Sequence, residues 1–186
     1  MKFLIVIFCV IVAIYGHKQN MYSHGRCPEF LVIEDSNYVN FTGNWCICEQ
    51  HAIGLPGFDR CITMSLEPKK SNIPGILLDI TYSGVSENGQ SVLVHGEALY
   101  KNSRDIRATY LVGETQVIKH YFINKLDNNY AMIGSCMEEG SYHIFEMWAV
   151  ARDCLSCLNV QNGLQKEFEI NRFSFNFTRV DHSNCP

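Results

Sequence analysis

Beyond Tyr15 the sequence has no second long apolar run, no cluster of lysines or arginines, no low-complexity linker and no internal repeat. A membrane helix needs about 20 consecutive apolar residues, so no stable membrane span is expected in the remainder of the chain. The scarcity of basic clusters removes nucleic acid as an expected partner. No Gly-x-Ser-x-Gly, paired carboxylate or His/Asp arrangement stands out, so no catalytic residue is assigned and the chain is expected not to be an enzyme. The 7 histidines show no metal-like spacing, and no metal site is expected.

One apolar run is present. It extends from Phe3 to Tyr15, follows Met1-Lys2 and ends at Gly16. One positive charge, a short apolar core and a small residue describe a secretory leader, expected over residues 1–16. Residues 17–186 are about 170 in number and are expected to form one domain. Without Lys2 that part carries 14 basic residues against 19 acidic ones, a formal charge of −5.

Cysteine is abundant. Cys9 lies in the leader, which leaves Cys27, Cys46, Cys48, Cys61, Cys136, Cys154, Cys157 and Cys185. An even count in an exported chain favours four disulfides. Asn40-Phe41-Thr42 and Asn176-Phe177-Thr178 fit the N-glycosylation pattern, which has meaning only in the same compartment. The expected location is extracellular.

Between Trp45 and Arg152 short β-like runs follow one another: 43–50, 60–66, 76–83, 91–100, 105–112, 116–124, 129–136 and 142–152. Turn residues separate them at Asn88-Gly89, Gly113, Asp127-Asn128-Asn129 and Gly140. This spacing, without helical periods between the runs, predicts an antiparallel meander. Eight strands suffice to close a barrel around one cavity, although the pattern alone also admits an open sandwich. His51 to Asp59, with Gly54, Pro56 and Gly57, reads as a long loop able to act as a flap at an open end. Leu158–Glu169 is the one candidate helix, with Leu164 and Phe168 on one face; Arg172 to Val180 reads as a final extended segment.

Several landmarks occur in a telling order. They are Gly25-Arg26-Cys27-Pro28, Asn40-Phe41-Thr42-Gly43-Asn44-Trp45, Cys61, Gly96-Glu97-Ala98, Asn129-Tyr130-Ala131, Cys136, Trp148-Ala149-Val150-Ala151-Arg152 and Cys185-Pro186. Spanning nearly all of residues 17–186, this set resembles the lipocalin family, especially arthropod bilin-binding, crustacyanin-like and apolipoprotein D-like members. One motif departs: where the family usually has Thr-Asp before the tyrosine at Tyr130, this chain has Lys125-Leu126, with Asp127 one place later.

The resemblance implies an all-β fold, an eight-stranded antiparallel up-and-down barrel with one short C-terminal helix. It implies that Gly43 lets the backbone cross closely, that Trp45 plugs the closed end, and that Arg152 lies across its indole face. Such a cation–π contact is worth about 0.5–2 kcal/mol. It also implies bridges Cys27–Cys136 and Cys61–Cys185. The other four sulfurs follow from strand parity: Cys46 and Cys48 share the face opposite Trp45, and Cys154 and Cys157 follow the strand that closure would set beside them. Two bridges between these pairs are expected, their partners open. A four-sulfur zinc site fits an oxidising compartment and the close spacing of Cys46 and Cys48 poorly, and no β-α-β pattern precedes Cys154 and Cys157 to support a thioredoxin-like role.

If interior positions follow the parity of Trp148 and Arg152, then Val150, Glu146, Ile144 and Tyr142 face inward, as do Ile47 and Glu49 with Trp45. Adding Tyr82, Tyr110 and one of Tyr121 and Phe122 gives a candidate pocket of Ile47, Tyr82, Tyr110, Tyr121, Tyr142, Ile144 and Trp148. Rings and a few hydroxyls suit a flat or elongated lipophile. His95 and His120 are minor candidates for a haem ligand. The leading expectation is a secreted carrier of a small hydrophobic ligand, with no required cofactor and a bilin or carotenoid chromophore among the options; homo-oligomerisation is left open. The alternative is a scaffold that binds a protein or small amine through its loops, as an inhibitor does. A cavity too small for about ten heavy atoms favours the scaffold, since useful pockets run to about 300–1,000 Å³.

Overall fold

Alternating apolar and polar residues, interrupted by turn formers, give the chain a single sheet that closes on itself. The computed structural model describes residues 22–29, 38–51, 57–157, 160 and 177–185. Its elements are β1 (Tyr22–His24), a 3₁₀ turn (Tyr38–Asn40), β2 (Gly43–His51), β3 (Arg60–Lys69), β4 (Ile76–Val85), β5 (Ser91–Asn102), β6 (Asp105–Val112), β7 (Thr115–Leu126), β8 (Tyr130–Glu139), β9 (Tyr142–Ala151) and β10 (Thr178–Arg179). The expected leader 1–16, residues 52–56 of the expected flap, the expected helix Leu158–Glu169 apart from Val160, and Asn176 lie outside the described residues.

Strands β2 to β9 pair antiparallel with their sequence neighbours, and β9 returns to β2. Cys46 stands opposite Ala151 and Ile47 opposite Val150 at this seam. The result is a closed eight-stranded up-and-down barrel, not an open sandwich; closure leaves no free sheet edge among these eight strands. Several strands run up to three residues past their expected ends. Pro68 shows why: β2 accompanies β3 only as far as Leu66, so the missing N–H of Pro68 falls where β3 has a single neighbour, β4.

The two outer strands patch places where barrel strands part company. Strand β1 pairs with Tyr142–Ile144, the half of β9 that β2 does not reach. Strand β10 pairs with Glu49 and Gln50, beyond the β2–β3 ladder. The backbone continues this patch: Val180 N–H donates to Cys48 O and Cys61 N–H to Asp181 O.

Two apolar clusters result. One fills the interior, from Trp45, Ile47 and Leu66 to Tyr121, Trp148 and Val150. The other lies on the outer face of β8, β9 and β2, where Met132, Phe145, Met147 and Ala149 meet Cys46, Cys48, Cys157 and Val160. Apolar residues on both faces of β9 therefore reflect burial on both sides, as expected for a strand covered by a further segment.

Candidate ligand-binding cavity

The floor is built from the closed end. Gly43 adopts φ +92°, and a Cβ there would come within 3.1 Å of Arg152 Nη1. With only a hydrogen in that space, the guanidinium lies 3.7 Å from the centroid of the Trp45 ring. Arg152 Nη1 donates to Thr42 O at 2.6 Å and Asn44 O at 3.3 Å, and Nη2 to Asn40 O at 2.6 Å. Burial lowers the guanidinium's pKa, but so basic a group keeps its charge at neutral pH. Trp45 Nε1 donates to Phe41 O at 2.8 Å, so the buried indole is satisfied.

The hairpin between β7 and β8 belongs to the same end. Asp127 Oδ1 accepts from the backbone N–H groups of Asn129 and Tyr130 at 2.7 and 2.8 Å. Arg152 N–H donates to Asn129 O. A side-chain oxygen that mimics a backbone turn is what Asp offers here. One place along from the family position, Asp127 makes the turn despite Lys125-Leu126.

Above the floor the cavity is lined by Phe41, Ile47, Met64, Leu66, Leu78, Ile80, Tyr82, Ala98, Ile106, Ala108, Tyr121, Ile133, Trp148 and Val150. Its free volume is about 30 Å³, room for a water molecule rather than for ten heavy atoms. Tyr121 and Trp148 rings sit 5.3 Å apart, and Tyr82 and Tyr110 meet edge-on at 6.2 Å. Burial pushes the Tyr82 phenol far above its ordinary value, helped by Tyr110 and Glu146. Burial also raises that of Tyr121, with electrostatic repulsion from Tyr82 and Tyr110, a side-chain interaction with Tyr110 and the charge of Glu146 adding to it. Both phenols stay neutral.

On the open-end side of Trp148, Glu146 is bound through both carboxylate oxygens by Lys119 Nζ, at 2.6 and 2.5 Å. The pair is largely withdrawn from water, with side-chain exposures of 27% for Lys119 and 7% for Glu146. The same ammonium lies 6.0 Å from the centroid of Trp148. At the rim, Phe58 from the long loop packs on Gly84, where a Cβ would come within 2.7 Å of its ring.

Of the candidate pocket residues, Ile47, Tyr82, Tyr121 and Trp148 line the cavity. Tyr110 is buried beside Tyr82 without lining it. Tyr142 and Ile144 are corrections. Tyr142 is 42% exposed and stacks on His24 at 4.2 Å; Ile144 is half-buried between Tyr22 and Met137 in the ladder. Their parity is inward, but β9 runs past the cavity toward its mouth. Glu49 is a second correction. The register shifts between Ile47 and Glu49, so Cys48 bulges and Glu49 stands opposite Ala149, a member of the outer cluster. Phe122 faces the outer cluster, as adjacency to Tyr121 requires.

The remaining assignments have these locations. Cys27 is bonded to Cys136, Cys61 to Cys185, Cys46 to Cys154 and Cys48 to Cys157. Asn40 is exposed. His95 is exposed and hydrogen-bonded to Thr81, and His120 is 67% exposed, so neither reaches the interior. The apolar lining from β3 to β6 falls outside the candidate set, which favours aromatic residues. Simple alternation would have found Met64 and Leu66, Leu78 and Ile80, and Ile106 and Ala108. The same parity, counted back from Tyr121 and Trp148, marks Lys119 and Glu146.

No protein-family model and no curated protein matches the chain. Solved structures do match. Lobster apocrustacyanin A1 superposes with a TM-score of 0.70 at 16% identity, over 90% of this chain and 95% of that one. Insecticyanin from the tobacco hornworm Manduca sexta gives 0.70 at 17%, over 88% and 89%. The fold is lipocalin-like. A biogenic amine-binding protein shares it more distantly, with a TM-score of 0.58 at 13% identity over 80% of this chain and 82% of that one. Identities this low carry the architecture of the lipocalin-like barrel and nothing finer.

Proposed function

We propose that this lipocalin-like protein is a secreted, non-enzymatic carrier that holds a small lipophile inside its barrel. One observation carries the reading: a closed floor beneath an interior lined almost entirely by apolar and aromatic side chains. Burying about 300 Å² of ligand surface there would supply several kcal/mol at about 25 cal/mol per Å², before ordering costs. Four disulfides support an oxidising, extracellular setting, and exposed Asn40 leaves room for a glycan. With these eight cysteines bonded, none of them supplies the free thiol that thiol-dependent lipocalin isomerases need.

The free volume of about 30 Å³ limits the ligand. A slim lipophile enters only if Tyr82, Tyr121 or Trp148 turns aside, and a bilin or carotenoid demands more rearrangement still. That volume favours a second reading, a scaffold that binds a protein through its loops with a filled interior. Native mass spectrometry of protein from its natural source separates them. A co-purifying lipophile mass is expected; visible absorption would mark it as a pigment, and a colourless preparation removes that option. A bare polypeptide mass that takes up no added lipophile would leave the scaffold.

A further inference from the structure

The interior holds one polar atom that the fold does not serve and a second that it serves weakly. Trp148 is 6% exposed and Tyr121 5%; both line the cavity. Trp148 Nε1 is buried with no hydrogen-bond partner among the described residues, whereas the buried Tyr121 hydroxyl interacts with the Tyr110 side chain but completes no well-formed hydrogen bond there. Leaving such groups without partners is costly, so they are rare unless something answers them. An indole N–H can only donate, whereas a phenol donates or accepts. What answers Trp148 must therefore be an acceptor. With about 30 Å³ free, a water molecule can serve when the barrel is empty. A bound lipophile has to bring its own oxygen.

The charge beside these rings is already matched. Glu146 is the carboxylate an ammonium ligand would seek, but Lys119 holds both of its oxygens. Lys119 also occupies the cation position near the Trp148 ring. An incoming alkylamine, protonated at neutral pH and so a donor only, would have to displace Lys119 and would still leave the indole N–H without an acceptor.

We propose that the lipocalin-like barrel selects lipophiles whose head is a hydrogen-bond-accepting oxygen, as in an alcohol, carbonyl or carboxylate, and discriminates against amines. Trp148 and Tyr121 are the residues that read the head. This rests on the reading of the barrel as a ligand holder and adds the chemistry of what it holds.

Three probes with one hydrocarbon chain test it by calorimetry on the intact, oxidised protein: 1-octanol, octanoate and octylamine. The alcohol or the carboxylate should bind roughly tenfold tighter than the amine, the scale of one buried donor left unanswered. The better of the two oxygen heads identifies which source the site prefers. In Trp148→Phe the preference should shrink to about twofold; Tyr121→Phe, a milder change, should reduce it in the same direction. Octylamine binding as tightly as octanol overturns the inference while leaving the ligand-holder reading intact. A preference that survives in both variants also overturns it. If none of the three binds the wild-type protein, both readings fall.

Discussion

Gly43 and Arg152 illustrate how one hydrogen atom can decide a local structure. At φ +92°, with Arg152 Nη1 3.1 Å from where a Cβ would stand, alanine faces backbone strain and a crowded guanidinium together. Gly43→Ala is expected to cost about 1–3 kcal/mol in urea unfolding. No loss would mean that the close approach is not required. Arg152→Lys keeps the charge but loses the planar stack and the fork that serves Asn40, Thr42 and Asn44 carbonyls. It should destabilise by about 1–3 kcal/mol, with little dependence on salt, since packing and directed hydrogen bonds account for most of it. At this scale Trp45 and Arg152 were legible through the family resemblance, and Tyr82, Tyr121 and Trp148 as aromatic residues on strands whose alternation points inward. Glu49 was not. A bulge is a one-residue change of count, and Cys46-x-Cys48-Glu49 carries no glycine or proline to announce it.

Strand β2 shows what that bulge does for an element. It sends Cys48 and Glu49 outward in succession, so that Cys48 meets Cys157 while Glu49 meets the approach of β10. Pairing among the four close cysteines could not be read from spacing, because both arrangements close loops of nearly equal length. The bulge and the short reach from Arg152 to Cys154 decide it in three dimensions. Replacing Cys48 and Cys157 together by alanine should cost about 2–5 kcal/mol, and cutting both between Cys46 and Cys48 and between Cys154 and Cys157 before mass mapping should yield the Cys46–Cys154 and Cys48–Cys157 peptides separately. Glu49 adds a pH dependence. Burial, partly offset by Arg179, raises its carboxyl above the ordinary 4.5. A raised carboxyl favours the fold when protonated, so its contribution is full below about 4.5 and is lost as pH rises through the folded value. Glu49→Gln should therefore be more stable than wild type at neutral pH, and that advantage should vanish toward pH 4.5. A constant difference across this range would show that the carboxyl does not titrate as the burial requires. Strand existence was read to within three residues at every barrel strand, and β10 falls within the expected extended segment from Arg172 to Val180, whereas the three residues of β1 lack the length to show a period.

Across the whole molecule, stability and ligand capacity draw on the same interior. Tyr82, Tyr121 and Trp148 fill space that a ligand would need, so the barrel is well packed when empty and must give up ring contacts to load. This was beyond sequence reading, since parity says which rings face inward but not how much volume they leave. Tyr82→Ala makes the exchange measurable. Truncating a buried aromatic should cost about 3–5 kcal/mol, and an apolar cavity of that size stays dry and accepts a small hydrocarbon such as toluene. Toluene at about 100 times its dissociation constant should then return about 2.7 kcal/mol, seen as a rise in Tm of about 2–4 °C per kcal/mol for a chain of this length. The wild-type protein, with no such space, should shift far less. If the variant is destabilised yet indifferent to toluene, the walls have collapsed inward, and a barrel that closes over a lost ring is one that would not stand open around a ligand. If wild type responds as strongly as the variant, its rings already move aside at little cost, and the empty volume ceases to favour the scaffold reading.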